Sequence, residues 1–466
     1  MNYEESVRAL LSLGKELAAP RQPVRISAAP PAAPSALIPA QKFGLENITI
    51  LAESLGQPHR AMPCAHVAGT NGKGSTAAML ESILRSADLR TGLYTSPHLE
   101  RINERIRING ENISDQDFAA AWTNVHDSIE ALMATGKLAA HPTFFECVTA
   151  MAFLAFAAQH VDFAIYEVGM GGRYDATNIV TPEVAAITPI DFDHENYLGH
   201  SIDEIASEKA GIIKANAWVV SAAQRPEARA VIVRRSAEMV ARLVEVEESW
   251  RIEDLTVSGG FYRAAATFAH TTKKLEVAPA LPGRFQVQNA LTAATAARVL
   301  AERGFPIGDE AIESGIAAAR WPGRLERISE RPDVYLDGTH NPAGARELLG
   351  FWEENFLGRR IFLVYGAMRD KAVDEIASLL FPRTEAVIFT MPRQPRAVSA
   401  SILSEVAGHF AARSFVVPDP AEALERAIKM ADPEDGVFVT GSLYLVGDVR
   451  AFWRTRDARR PSSDSR

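Results

Sequence analysis

His66-Val67-Ala68-Gly69-Thr70-Asn71-Gly72-Lys73-Gly74-Ser75-Thr76 reads as the end of a strand, a glycine-rich turn and the start of a helix. Three glycines let the backbone turn tightly and aim several N–H groups at one point. A helix N-terminus adds positive potential there, Lys73 adds a full charge, and Ser75 or Thr76 offers a hydroxyl to a metal ion. Together these suit a nucleoside triphosphate with magnesium. The fit to the phosphate-loop pattern G-x-x-x-x-G-K-[ST] is imperfect, because Gly69 stands only three residues before Gly72 and Gly74 separates Lys73 from Ser75. The plainer alternative is a tight strand-to-helix turn with no ligand.

The surrounding chain of 466 residues is too long for one core, and two domains are expected, 1–320 and 321–466. The 49 basic against 58 acidic side chains give a net charge of −9, which argues against coating a nucleic acid but leaves room for an anionic substrate in a locally basic site. Two cysteines, Cys64 and Cys147, have no metal-type spacing and read as reduced, buried thiols. Glu4, Glu5 and Glu16 make the N-terminal stretch unlike a signal peptide, and Val7, Leu10, Leu11 and Leu17 fit one helical face. The longest apolar run, Ala150–Ala158, is too short to span a bilayer. A soluble, cytoplasmic chain that works as a monomer, with neither membrane nor nucleic-acid partner, is the expectation.

Pro20–Pro39 holds six prolines and reads as an irregular segment. Beyond it, apolar strands at Ala65–Ala68, Thr91–Thr95, Phe163–Val168 and Val184–Thr188 alternate with helices at Ser75–Ala87, Asp115–Ala134, Phe144–Gln159 and Ile202–Ile213. This pattern predicts an α/β fold with a mostly parallel sheet covered on both faces. Arg251–Val277, with its Gly259-Gly260 turn, predicts a small antiparallel addition. After the breaker cluster Arg320-Trp321-Pro322-Gly323 a second series begins, with strands at Val334–Leu336, Ile361–Val364, Ala386–Phe389 and Val437–Thr440. Helices near 343–356, 371–380, 400–410 and 420–431 separate those strands, predicting a smaller Rossmann-like α/β domain. The charged tail from Arg454 is expected to fray.

Ile165-Tyr166-Glu167-Val168-Gly169-Met170-Gly171-Gly172-Arg173 ends a strand in an acid and a glycine cluster, at the sheet edge where α/β proteins bind ligands. Beside a phosphate loop, Glu167 is placed to hold magnesium; otherwise it caps a turn. Asp191-Phe192-Asp193-His194 follows another strand in the same manner. Lys209, on a helix beside Glu208, reads from spacing alone as a solvated surface group.

Eight ordered motifs alter that reading. They are His66–Thr76, Tyr94-Thr95-Ser96-Pro97-His98-Leu99, Glu167–Asn178, Asp193-His194 and Glu208-Lys209-Ala210-Gly211, then Pro282-Gly283-Arg284-Phe285-Gln286 with Asn289-Ala290, Pro322-Gly323-Arg324-Leu325-Glu326, and Asp337-Gly338-Thr339-His340-Asn341-Pro342. In this order they resemble the folylpolyglutamate synthases and dihydrofolate synthases of the Mur ligase superfamily, over residues from about 43 to 445. The resemblance implies ATP bound by Gly69, Thr70, Asn71, Gly72, Lys73, Gly74, Ser75 and Thr76. It implies two Mg2+ sites, one held by Ser75 and Glu167, the other by Ser96, Glu167 and His194, and a carbamylated Lys209 behind them. Across the cleft it implies Arg324 at the terminal phosphate, Asp337 and His340 near the ribose and reacting groups, and Asn289 on the adenine. Thr143, Phe145 and Ala176 match positions lining the dihydropteroate pocket of the bifunctional bacterial enzymes. Phe285 and Thr339 depart from the family's usual His and Ala, and stacking or packing is expected where Phe285 removes a polar contact.

The implied reaction is ATP-dependent ligation of L-glutamate to dihydropteroate and to reduced folates through an acyl phosphate, catalysed by Lys73, Lys209, Arg324 and His340. Folate extension alone is one alternative. A Mur-type cell-wall peptide ligase is another, although such enzymes usually carry Ser or Thr directly after the loop lysine. A nucleotide-binding regulator is a third, and it would need neither Lys209 nor Arg324.

Overall fold

The computed structural model describes residues 1–13, 44–269 and 271–459. The proline-rich segment Pro20–Pro39 lies outside them. Eight strands form the first sheet: β1 (Cys64–Ala68), β2 (Thr91–Tyr94), β3 (Ile106–Ile108), β4 (Glu111–Asn112), β5 (Phe163–Glu167), β6 (Val184–Ile187), β7 (Trp218–Ser221) and β8 (Arg242–Glu245). Their order is β4-β3-β2-β5-β1-β6-β7-β8, with antiparallel pairing only at β2/β3 and β3/β4. Every residue of β1 and β5 is buried, as an apolar strand between two parallel neighbours must be.

Side-chain alternation divides two cores across this sheet. Phe163 and Ile165 pack with helices Lys73–Ser86, Phe285–Glu302 and Asp309–Ala318 on one face. Ala164 and Tyr166 pack with helices Asp115–Ala134 and Phe144–Ala158 on the other. The antiparallel addition is a separate sheet of β9 (Trp250–Ser258), β10 (Phe261–Phe268) and β11 (Lys274–Val277). Its Tyr262, Ala264 and Ala266, spaced by two along β10, face the first core.

The second α/β unit is a six-stranded sheet of β12 (Glu326–Glu330), β13 (Asp333–Leu336), β14 (Ile361–Tyr365), β15 (Ala386–Phe389), β16 (Ser414–Val416) and β17 (Gly436–Thr440). The order is β12-β13-β17-β14-β15-β16, and only β12 runs antiparallel. Short, half-exposed strands such as β3, β4, β8 and β16 carry little apolar signal, and the sequence reading passed over them.

Several local expectations change. Leu10 is buried on the first helix, Tyr3–Ser12, but Leu11 is 59% exposed, so the apolar face is narrower than expected, and Leu17 lies outside the described residues. The helix after β1 begins at Lys73, two residues before the expected start. The segment 202–213 divides into an α-helix, Ile202–Lys209, and a 3-10 turn, Ala210–Ile212. The last helix runs Leu443–Arg459, past Arg454, and the rest of the tail, 460–466, lies outside the described residues. Both cysteines are free and buried. Among the described residues no helix is long and apolar enough to cross a membrane.

Candidate active site between two sheet edges

The carboxyl ends of β1, β2, β5 and β6 carry the Gly69–Gly72 turn, Ser96, Glu167 and the Asp191–His194 cluster. The carboxyl ends of β13, β14 and β17 carry Asp337–Asn341, Lys371 and Ser442. These are the edges at which open parallel sheets bind ligands, and here they face each other. Asn71 and Asn341 exchange amide hydrogen bonds at 2.9 and 3.2 Å. Asp193 accepts from Lys371 Nζ at 2.7 Å and from Asn341 Nδ2 at 3.2 Å, with His340 Nε2 at 3.4 Å.

The turn after β1 is built tightly. Gly72 has φ +87°, and a Cβ there would collide with the Asn289 amide. Asn289 is thereby pressed on the loop, and its Nδ2 donates to Gln286 Oε1 at 2.9 Å. Gly74, the residue that broke the general loop pattern, lies under the Trp321 indole, where a Cβ would come within 2.7 Å of Nε1. The Thr70 and Asn71 N–H groups, expected to aim at a ligand, both donate to Pro189 O. The leading N–H groups of helix Lys73–Ser86 have no intrahelical partner and are the ones free to meet an anion. Thr76 N–H closes the first helical bond to Gly72 O at 2.8 Å. Ser75 Oγ is 3.4 Å from Gln286 Nε2.

Lys73 Nζ folds back on the carbonyls of Gly69 and Thr70, at 3.0 and 2.9 Å. Burial lowers its pKa, opposed by Glu167 and Asp193 and reinforced by Arg324 and Lys371. Lys73 therefore senses both sheet edges. Lys209, only 4% exposed, donates to the same Gly69 carbonyl at 2.8 Å. Burial, with the charge of Lys73 beside it, pushes Lys209 down to about 7. The surface-lysine reading is wrong for it.

Gly74, Ser96, Glu167, Trp321 and Arg324 line one cleft with Leu99 and Leu443. Burial raises the Glu167 pKa, opposed by Lys73 and by the Ser96 N–H, which donates to Oε2 at 3.1 Å. Among the described residues Arg324 hydrogen-bonds only its neighbour's carbonyl, Gly323 O, at 3.3 Å. Asp337 is 4% exposed and spends its two oxygens on the N–H groups of Leu325 and Thr339, so it shapes the Arg324 loop. Thr339 thus takes part through its backbone. His340 Nδ1 is 2.8 Å from Gly338 O, which turns Nε2 toward Asp193.

His194, at φ +52°, lies with Asp193 and Asp370 at 3.9 and 4.0 Å. Its buried Nδ1 makes no hydrogen bond, and burial holds its pKa down to about 3, with Lys371 adding to the shift. Burial raises Asp193, but Lys371, His340 and His194 outweigh it and hold the carboxyl well below its usual range. No group of three His, Cys, Asp or Glu side chains suited to a metal occurs among the described residues. Magnesium needs no such cage, being held by one or two carboxylates, hydroxyls and phosphate oxygens. A buried Glu167 with the Ser75 and Ser96 hydroxyls fits that donor set, and the unpaired His194 nitrogen is a further, softer donor.

Thr143 is the N-cap of helix Phe144–Ala158, in a capping box with Glu146. Its hydroxyl accepts from Glu146 N at 3.2 Å and lies 2.8 Å from Glu146 Oε2, so the Thr-Phe-Phe-Glu pattern has a helix-start explanation. Phe145 sits over Gly169 with its ring 6.1 Å from that of Tyr94, and buried Ala176 joins the same cluster. Asp175 accepts from the N–H groups of Gly169 and Met170, both at 3.0 Å, and fixes the turn on which Phe145 rests. Phe285 packs against the core of the second unit, as expected for an apolar replacement. The sequence reading missed Lys371, which no motif marked, and the role of Trp321 over Gly74.

A sheet edge with a glycine-rich turn, facing a second α/β sheet that brings Arg324 to the cleft and His340 and Lys371 to Asp193, fits a two-domain, ATP-dependent ligase. The Mur ligase middle domain matches residues 67–297, and the Mur ligase glutamate ligase domain matches residues 323–443. The dihydrofolate synthase/folylpolyglutamate synthase of Bacillus subtilis is 38% identical over 414 residues, covering 88% of this chain and 94% of that protein. Folylpolyglutamate synthase of Mycobacterium tuberculosis, solved with ADP and AMPPCP, superposes with a TM-score of 0.83 at 33% identity, covering 91% of this chain and 97% of that one. The Escherichia coli FolC complex with DHPP and ADP gives a TM-score of 0.78 at 32% identity, covering 89% and 94%. The chain belongs to the dihydrofolate synthase/folylpolyglutamate synthase family of Mur ligases.

Proposed function

We propose that this ligase joins L-glutamate to dihydropteroate and to reduced folates, with 1–320 as the nucleotide-binding unit and 321–466 as the glutamate-ligase unit. The observation that carries the reading is the closed contact of Asp193 with Lys371, His340 and Asn341, which sets the second sheet edge over the phosphate loop. A site that forms an acyl phosphate must exclude water, and a two-sided cleft supports that.

The pteroate or folate carboxylate attacks the γ-phosphorus of ATP, ADP leaves, and the acyl phosphate forms. The glutamate amine then attacks the acyl carbon, phosphate leaves, the nitrogen gives up one proton and the amide remains. The N–H groups at the start of helix Lys73–Ser86, Lys73 and Arg324 offset charge as the phosphoryl group moves. Asn289 packs the base side of the nucleotide against the loop, and Asp337 holds the Arg324 loop in place. Ser75, Ser96, Glu167 and His194 would hold magnesium, which would neutralise the phosphate oxygens. Lys209 is the residue for a carbamate: its neutral amine adds carbon dioxide, losing one proton, and the anion formed faces the cationic loop. Phe145 and Ala176 form the apolar wall for the pterin, and Thr143 starts the helix that carries Phe145.

ADP release, assayed with dihydropteroate plus glutamate and with a reduced folate plus glutamate, tests the reading. Release in both supports the two activities. Release with folate alone leaves an extension enzyme, and release with neither refutes the function. The second outcome has one observation behind it: Thr143 is committed to its cap and does not by itself argue for dihydropteroate.

A further inference from the structure

Ser96 and Arg324 come from different sheets and line the same cleft. Between their loops runs a chain of charged groups that none of the family motifs includes in full. Glu326 accepts the Gly323 N–H at 2.9 Å, next to Arg324. Arg450, on the last helix, places Nε at 2.9 and 3.0 Å from the two oxygens of the same Glu326. Its Nη1 pairs with Glu100, whose other oxygen meets Arg454 Nη1 at 3.3 Å. Glu100 stands four residues after Ser96, in a loop whose Leu99, Glu100 and Arg101 N–H groups all turn onto the Glu104 carboxylate.

The helix is pressed on that loop without slack. A Cβ at Gly447 would run into the Leu99 carbonyl, and a Cβ at Gly323 would touch Leu99 and Val446, each at 3.1 Å. Arg450 and Glu100 are only 20% and 13% exposed at their side chains, so this pair is not a solvated surface bridge. A guanidinium holds two carboxylates through a planar, rigid fork of donors, where an ammonium offers three donors on a flexible stem.

We propose that Arg450 is a positioning residue that makes the closed arrangement of the two domains set the Ser96 loop and the Arg324 loop together. Closure carries Arg450 onto Glu100, and the same guanidinium holds Glu326 and hence the Gly323-Arg324 turn. The proposal rests on the ligase reading of the cleft and on the roles given there to Ser96 and Arg324.

The test compares Arg450→Ala, Arg450→Lys, Glu100→Ala and the double variant Arg450→Ala/Glu100→Ala with Ser96→Ala and Arg324→Ala in the full chain. Turnover and ADP affinity are measured, the latter by calorimetry with and without magnesium, alongside thermal melts. Arg413→Ala, which removes an exposed pair with Glu385, is the control. Arg450→Ala is expected to lower kcat by between about tenfold and a hundredfold, the range that misplacing a group by a fraction of an ångström to one ångström costs. Its magnesium-dependent ADP affinity falls while the magnesium-free affinity holds, Arg450→Lys recovers only part, and the double variant is no worse than the worse single one. Wild-type kcat and magnesium dependence in Arg450→Ala, or a double variant whose losses simply add, overturns the proposal. A melt shift without those two changes also overturns it, since it marks a purely structural bridge. If Ser96→Ala and Arg324→Ala are themselves without effect, it is the reading of the cleft that has failed.

Discussion

Lys73 and Lys209, 136 positions apart in the chain, donate to one backbone oxygen, the carbonyl of Gly69, at 3.0 and 2.8 Å. Two ammonium groups on one carbonyl in a buried site repel each other, and burial with that repulsion brings Lys209 down to about 7. An amine with that pKa is substantially free base at neutral pH, the form that reacts with carbon dioxide. Activity is therefore expected to rise with pH through about 7 and with added bicarbonate. Lys209→Ala should lose turnover that short carboxylic acids partly restore. Unchanged turnover in that variant, or indifference to both bicarbonate and carboxylates, would exclude the carbamate.

Lys73→Ala and Arg324→Ala remove cations from opposite sides of the cleft. Each is expected to lower kcat on the order of a hundredfold to a thousandfold, the usual loss when one transition-state donor is removed. Melting temperature should change little for Arg324, whose side chain donates to its neighbour's carbonyl. Activity assays paired with thermal melts check both, and near-normal turnover in Lys73→Ala contradicts the phosphate-loop role.

Asp193→Asn strips the charge that Lys371 and His340 face. Lys371 is 9% exposed at its side chain, and breaking a buried pair from one side costs about 3–5 kcal/mol. The loss is expected to appear as opening of the two units, with a larger radius of gyration by small-angle scattering and the far-UV spectrum retained. An unchanged scattering profile would mean that the pair does not hold the domains together.

His66 is fully buried, its Nε2 2.8 Å from Thr177 Oγ1, and burial lowers its pKa to about 3. In the unfolded chain the imidazole titrates near 6.5. Between those values the unfolded state binds the extra proton, so the contribution of His66 is present above 6.5 and is lost as pH falls toward 3. Urea melts of His66→Asn against the parent chain, taken from pH 7 to pH 4, should show a flatter pH dependence for the variant. Parallel curves would refute the assignment.

Thr143→Ala should cost about 1 kcal/mol through loss of the N-cap, and Thr143→Ser should keep most of it. Denaturant midpoints measure this. A variant of unchanged stability would argue that the hydroxyl serves a ligand instead.

The wider lesson of the site is uneven. Strands β1 and β5 and the long helices were legible because each is carried by a local pattern of a few residues, and both strands are buried throughout. The run Asp115–Ala134 matched residue for residue, its start fixed by the Ser114 cap. Lys209 was misread from spacing because helical position says nothing of what packs over a side chain. Lys371 carried no signal at all, since its partner Asp193 lies on another sheet.

The sequence by itself determined the two alternating α/β series, the glycine-rich turn and the family to which they belong, because periodicity and glycine placement act over a few residues. Tertiary structure alone decided which charges meet. It turned Thr70 and Asn71 N–H to Pro189, put Trp321 over Gly74, set Lys209 on the Gly69 carbonyl and joined Glu100 to Glu326 through Arg450. The reason is physical. A pKa or an ion pair depends on burial and on distance through space, and both are fixed only when remote strands close over one another.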